Sequence, residues 1–135
     1  MKHLSLLIIV LSLTSCITKK EMSMTAYDDF KTRYELSGHT ETAEYSEGIR
    51  YFEKLATHFD EIQIKVMGET DCGEPLHLVI YSAEKQFDIA KIKASGKAII
   101  LINNGIHPGE PDGIDASMML LRDIGFKRLL LEEMK

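Results

Sequence analysis

Residues 98–113 read AIILINNGIHPGEPDG, and this stretch carries the clearest fold signal in the chain. Its first five residues are all apolar, which predicts a central β-strand covered on both faces. Residues 103–105 end the strand. Asp112 is the predicted N-cap of the following helix, and Asp115 is the second half of a capping box. A buried strand followed by a turn and a capped helix indicates an α/β fold.

A helix and a β-hairpin are predicted upstream of this stretch. Apolar residues recur at helical spacing on one face of residues 45–59: Tyr45, Ile49, Phe52, Ala56 and Phe59. Thr40 or Thr42 is the predicted N-cap of this helix. The apolar period then changes to two on either side of residues 71–74, which predicts a hairpin. A second helical stripe after the turn contains Ile114, Met118, Leu121 and Ile124. These elements form the opening of an α/β sandwich rather than a finished one.

The first fifteen residues predict a signal peptide. Residues 4–13 are almost wholly apolar, but this segment is too short to span a membrane as a helix. Residues 13–16 resemble a lipobox, in which Cys16 becomes the lipidated first residue. The alternative is an ordinary signal peptide with an incidental cysteine, but the small residues before Cys16 favour lipidation. We therefore expect an exported envelope lipoprotein held to the membrane by its lipid, and Ile17 favours the outer membrane.

The composition is that of one soluble globular domain. Hydrophobic residues make up 44% of the chain, charged residues make up 27%, and the formal net charge is −5. No basic patch stands out, so no nucleic-acid partner is expected. With Cys16 acylated, Cys72 has no cysteine to pair with, and a single thiolate is too few for a cysteine zinc site.

His107 and Glu110 are the candidate metal ligands. Imidazole and carboxylate both bind zinc, and two histidines with one glutamate form a known catalytic ligand set. The spacing alone is weak evidence, because His58 and Glu61 repeat it at the predicted end of a helix. A polar turn with an incidental histidine and a solvated glutamate is the alternative. The position favours a metal site, because ligands of open α/β sheets bind beyond the carboxyl ends of strands.

Residues 104–111 resemble the His-x-x-Glu zinc motif of the carboxypeptidase A-like metallocarboxypeptidases. Residues 41–45 and 51–56 look like the first helix of bacterial members of this family. Residues 68–76 look like the turn between the family's first two strands. The resemblance extends over most of residues 40–125, and only the His-x-x-Glu region is functionally specific.

This resemblance implies Zn²⁺ bound by a ring nitrogen of His107 and the carboxylate of Glu110, with hydrolysis of C-terminal residues from peptides. It implies a partial three-layer α/β/α sandwich with a mixed sheet. The implied organisation is a signal peptide over 1–15, a lipid-anchored tether over 16–38 and the N-terminal part of the carboxypeptidase-like domain over 39–135.

The sequence departs from the family pattern after Glu110. Members have a second histidine ligand, an arginine that steadies the oxyanion and a glutamate base, all downstream of the motif. The residues that follow Glu110 contain no histidine. His39 and His77 do not match the pattern, and Arg122 and Arg128 are at helical positions, so no catalytic residue is assigned. We therefore expect a truncated carboxypeptidase or a fragment.

Two alternatives stay open. The aspartoacylase/succinylglutamate desuccinylase branch uses a similar strand-turn zinc motif to cleave N-acyl amino acids. The Pro-Gly pair between the ligands and the hairpin upstream favour the carboxypeptidase branch. The other alternative is a non-catalytic envelope lipoprotein that keeps a degenerate carboxypeptidase-like fold.

Overall fold

The computed structural model describes residues 26–107 and 109–126, which fall into two compact units divided after Lys31. In the first unit, residues 26–28 are helical, and Lys31 forms an ion pair with Asp28 at 3.1 Å. The second unit begins at Thr32, inside the segment 16–38 that the sequence predicted as a tether. No helix among the described residues has the length and apolar character needed to cross a membrane.

The second unit is a mixed α/β structure, as predicted at the level of fold class. Its elements follow the order helix, helix, strand, strand, helix, helix. Their bounds are α1 (Arg33–Leu36), α2 (Tyr45–His58), β1 (Ile62–Glu69), β2 (Pro75–Tyr81), α3 (Ile89–Ala94) and α4 (Asp112–Gly125). The described sheet has two strands, so the predicted three-layer sandwich is not present in these residues.

Helix α1 is short and is held by a capping box. The side chain of Thr32 accepts a hydrogen bond from the Glu35 backbone N–H, and the Glu35 carboxylate accepts one from the Thr32 backbone N–H at 2.9 Å. Thr32 is buried, so these reciprocal bonds satisfy polar groups that solvent does not reach.

Helix α2 and the hairpin form where the sequence predicts them. Strands β1 and β2 are antiparallel, and Ile62 pairs with Tyr81 at the end nearest α2. The register shifts by one residue between Val66 and Gly68, which is a β-bulge. At the tip, Gly73 has a φ of +78°, a left-handed conformation that favours glycine. The predicted turn at residues 71–74 is confirmed.

The core is small, and it lies where α2 contacts both β1 and α4. Leu55 has no exposed surface, and Ile62 and Met118 are nearly as buried. Phe59 packs edge-on against Phe126, with 4.9 Å between the ring centroids. The predicted apolar stripe does not include Leu55, although Leu55 is the most buried hydrophobic residue of α2.

The predicted central strand at residues 98–102 is wrong for this structure. The segment has no regular secondary structure, and Ile100 and Leu101 are 83% and 78% exposed. Its backbone forms no hydrogen bond with any other described backbone group. A strand of this composition is stable only between neighbouring strands with layers on both faces. The two described strands pair with each other and leave this segment uncovered.

Both predicted helix caps are also wrong. The N-cap of α2 is Glu44, and the N-cap of α4 is Pro111, neither with a side-chain cap hydrogen bond. Asp112 is the first residue of α4 rather than its cap. Thr42 lies two residues before the N-cap of α2, and its hydroxyl donates to Asp115 Oδ2 at 2.7 Å. That bond joins the segment before α2 to the first turn of α4.

Candidate metal centre

The turn between residues 104 and 110 lies against the first turns of α4. Gly105 and Gly109 have φ angles of +66° and +80°, a region that glycine enters without steric cost. A Cβ at Gly105 would lie 2.7 Å from Ile114 Cδ1 on α4. The backbone conformation therefore favours glycine at this position, whereas the close contact involves only the far end of the flexible Ile114 side chain.

His107 and Glu110 converge on this turn. His107 Nδ1 lies 2.9 Å from Glu110 Oε2, which is a hydrogen-bonding distance. Their side chains are 66% and 64% exposed, so the pair faces solvent. The structure therefore brings together the two side chains that the sequence predicted as metal ligands. Zinc binding by the pair stays a prediction.

The geometry of the pair is compatible with chelation of one ion. Two ligand atoms that each bind zinc at 2.0–2.1 Å with a tetrahedral angle between them are about 3.3 Å apart. The nitrogen and oxygen of the pair are at 2.9 Å. The distance between the two atoms would have to increase by a few tenths of an ångström for both to bind one zinc ion. Two exposed side chains have the freedom to make this change.

A third ligand does not join this pair among residues 26–107 and 109–126. No group of three or more histidine, cysteine, aspartate or glutamate side chains in this part of the chain could hold a metal ion. His39 stacks on Tyr34 at 4.7 Å between ring centroids, and His77 Nδ1 lies 3.3 Å from the Tyr45 hydroxyl. Two ligands and water make a weak zinc site, so the described pair is at most part of a complete centre.

The arginines and cysteines discussed in the sequence do not join the His107–Glu110 pair among the described residues, and some of them lie outside those residues. Arg122 is buried on α4 and contacts two carboxylates, as expected for a structural arginine. Cys72 is exposed at the hairpin tip with a free thiol. Cys16, Pro108 and Arg128 lie outside the described residues, so lipidation at Cys16 stays a prediction.

A cleft beside the ligand turn was not predicted. Its volume is about 340 Å³, and it is lined by Tyr34, Thr40, Thr42, Pro111, Asp112, Asp115 and Met119. Asp115 is buried, and its Oδ1 has no hydrogen-bond partner among the described residues. The sequence carries a signal in Thr42 and Asp115, but their residue types and positions predict local helix caps. Their partnership spans 73 positions, which no local pattern reveals.

Comparison with known proteins assigns no family to the chain. No protein-family model matches it, no curated protein matches it, and no solved structure matches it. The carboxypeptidase resemblance therefore stays a prediction that depends on the motif residues alone.

Proposed function

We propose that the chain carries two ligands of the zinc centre of a metallocarboxypeptidase-like hydrolase. The observation that supports this most directly is the 2.9 Å approach of His107 Nδ1 to Glu110 Oε2 on a solvent-facing turn. The turn immediately precedes α4, so the helix fixes one end of the ligand pair. The proposed substrate is a peptide that loses its C-terminal residue by hydrolysis.

The residues of this chain would bind the metal rather than perform proton transfer. Zinc, when bound, polarises the scissile carbonyl and lowers the pKa of its bound water. His107 would supply a neutral ring nitrogen and Glu110 a carboxylate oxygen. No described residue is assigned the role of general base, oxyanion donor or carboxylate clamp. Catalysis would require these groups from beyond the described residues.

The same proposal includes a three-layer fold for the complete domain. A three-layer α/β/α sandwich would cover the exposed apolar segment 98–102, which the two described strands leave uncovered. Exposed apolar segments of this kind mark a surface that normally meets another part of a protein. This supports the proposal that residues 39–135 are the N-terminal part of a larger carboxypeptidase-like domain. Export and anchoring through Cys16 are proposed from the sequence of residues 1–16 alone.

A non-catalytic envelope lipoprotein is the second candidate. The specific observation in its favour is that no third metal ligand joins His107 and Glu110 among the described residues. This candidate and the enzyme differ in the assay of C-terminal hydrolysis from an N-blocked dipeptide with added Zn²⁺. Release of the terminal amino acid would exclude the binding protein, whereas metal binding without release is expected of both candidates, because no described residue is assigned as a general base.

The metal proposal is tested by equilibrium dialysis of the chain against Zn²⁺. His107→Ala and Glu110→Gln should each lower zinc affinity, because each removes one of two ligands. His77→Ala is the matched control, since it removes an imidazole from β2 that lies outside the pair. Equal zinc uptake by His107→Ala and the unmodified chain would contradict the proposal.

A further inference from the structure

Asn104 connects the ligand turn to the second turn of α4. Its side-chain Nδ2 donates a hydrogen bond to Ser117 Oγ at 2.5 Å. Asn104 is three positions before His107, and Ser117 is five positions after the start of α4. This bond therefore joins the side of the turn that precedes the ligands to the helix that follows them.

The packing around Asn104 requires glycine at position 113. A Cβ built at Gly113 would lie 2.5 Å from Asn104 Oδ1 and 3.2 Å from Asn104 Cβ. Gly113 is inside α4, and its φ is not in the left-handed region. Its backbone conformation therefore does not require glycine. The missing side chain leaves the space in which the Asn104 amide lies against the helix.

We propose that Asn104 is a positioning residue for the metal-ligand turn, and that Gly113 is the matching space on α4 that receives it. This inference rests on the proposed function of His107 and Glu110. Both ligand side chains are exposed, so packing of the side chains themselves does little to hold them in place. Their aim depends on the backbone of the turn, which Asn104 fixes on one side and the start of α4 fixes on the other. Metal ligands require such support, because a loosely held ligand gives a weak site.

The test compares Co²⁺ binding in Asn104→Ala, Ser117→Ala and the unmodified chain, measured by the d–d absorption of the bound ion. Loss of a supporting group around a metal ligand costs about 10- to 100-fold in affinity, and we expect Asn104→Ala to fall in this range. Ser117→Ala keeps Asn104 and removes only its hydrogen-bond partner. It should weaken Co²⁺ binding in the same direction, and it serves as the second variant if Asn104→Ala does not fold.

Gly113→Ala provides an independent test because it displaces the Asn104 side chain without changing it. Gly48→Ala is the matched control, since Gly48 is also helical and a Cβ there would meet no atom within 4 Å. We expect Gly113→Ala to weaken Co²⁺ binding and Gly48→Ala to leave it unchanged. In the Asn104→Ala background, Gly113→Ala should cost less affinity than in the unmodified chain, because Asn104 Oδ1 and Cγ are gone and only the contact with the Cβ at 3.2 Å is left.

The heteronuclear {1H}–15N NOE of residues 105–107 gives a readout that does not depend on metal, because within the described part of the chain these exposed amides donate no backbone hydrogen bond whose opening hydrogen exchange could report. Lower NOE values there in Asn104→Ala, with α2 unchanged, support the positioning role. Unchanged Co²⁺ affinity in Asn104→Ala, when His107→Ala has lost affinity, overturns the positioning role and leaves the proposed function standing. Unchanged affinity in both variants overturns the proposed function and the positioning role with it.

Discussion

Arg122 on α4 forms an ion pair with Glu35 on α1, with 2.5 Å between Arg122 Nη1 and Glu35 Oε2. The Arg122 side chain is 3% exposed, and its Nε also contacts Asp123 Oδ1 at 2.8 Å. Glu35 completes the capping box of α1 at the same time. The two carboxylates raise the pKa of the Arg122 guanidinium, although burial alone lowers it. One buried cation therefore joins the start of the second unit to its last described helix.

Replacing Arg122 should destabilise the fold. Arg122→Ala leaves the partly buried Glu35 carboxylate without its charged partner and removes a side chain packed on α4. We expect the free energy of unfolding to fall by roughly 2–3 kcal/mol in urea denaturation. Arg50→Ala, at an exposed position on α2, should change it by less than about 0.5 kcal/mol. Equal losses in the two variants would refute a structural role for the buried pair.

The same pair should make stability depend on pH. Burial on its own raises the pKa of Glu35, but the hydrogen bonds from Arg122 and the Thr32 backbone lower it overall from its ordinary value of 4.5. A carboxyl whose pKa is lower in the folded state stabilises the fold above its unfolded pKa. That contribution is lost as the pH falls through the lower, folded pKa.

Glu35→Gln is the variant that isolates this contribution. The stability difference between the unmodified chain and Glu35→Gln should shrink as the pH falls from 4.5 through the lower pKa of the folded state, because below that pKa both carry a neutral side chain at position 35. Urea midpoints measured between neutral and acid pH test this. Glu53→Gln, at an exposed site on α2, should keep the pH profile of the unmodified chain. A constant difference between the Glu35→Gln and unmodified profiles would show that Glu35 contributes no pH dependence.

Thr42→Val should also lower stability. The substitution keeps the size and β-branching of the side chain but removes the donor to Asp115 Oδ2. Because Asp115 Oδ1 is already without a partner, the buried carboxylate would then have neither oxygen satisfied by the described residues. We expect a loss of about 1–3 kcal/mol, measured by urea denaturation. Thr57→Val, at an exposed position on α2, is the control and should stay close to the unmodified chain.

Local signals in the sequence predicted the elements that depend on near neighbours. The hairpin follows from a two-residue period on each side of a turn that contains Gly73. The approach of His107 to Glu110 is likewise local, because three positions separate them in a turn with two left-handed glycines. In both cases the interacting groups are close in the chain, so spacing and turn chemistry carry the information.

Contacts between distant parts of the chain could not be predicted from these patterns. Thr42 has the residue type of an N-cap, but it lies two residues before the N-cap of α2, and its hydroxyl donates to the buried Asp115. The apolar run at 98–102 has the composition of a covered strand, but burial depends on neighbouring strands that a single segment does not specify. The sequence predicts that Asn104 ends a strand, and its contact with Gly113 emerges only when α4 lies against the turn.

The exposed run at 98–102 should control self-association of the 135-residue chain. Ile100 is its most exposed residue, and contiguous exposed apolar side chains favour association between molecules. Ile100→Lys should reduce concentration-dependent light scattering while changing the free energy of unfolding by less than about 0.5 kcal/mol, because the side chain is in solvent in the folded state. Ala83→Lys adds the same charge at an exposed position in the loop after β2, so it separates the effect of charge from that of the apolar run. If Ile100→Lys unfolds the chain, the Ile100 side chain is buried in solution. If both lysine variants reduce light scattering equally, the effect comes from charge alone.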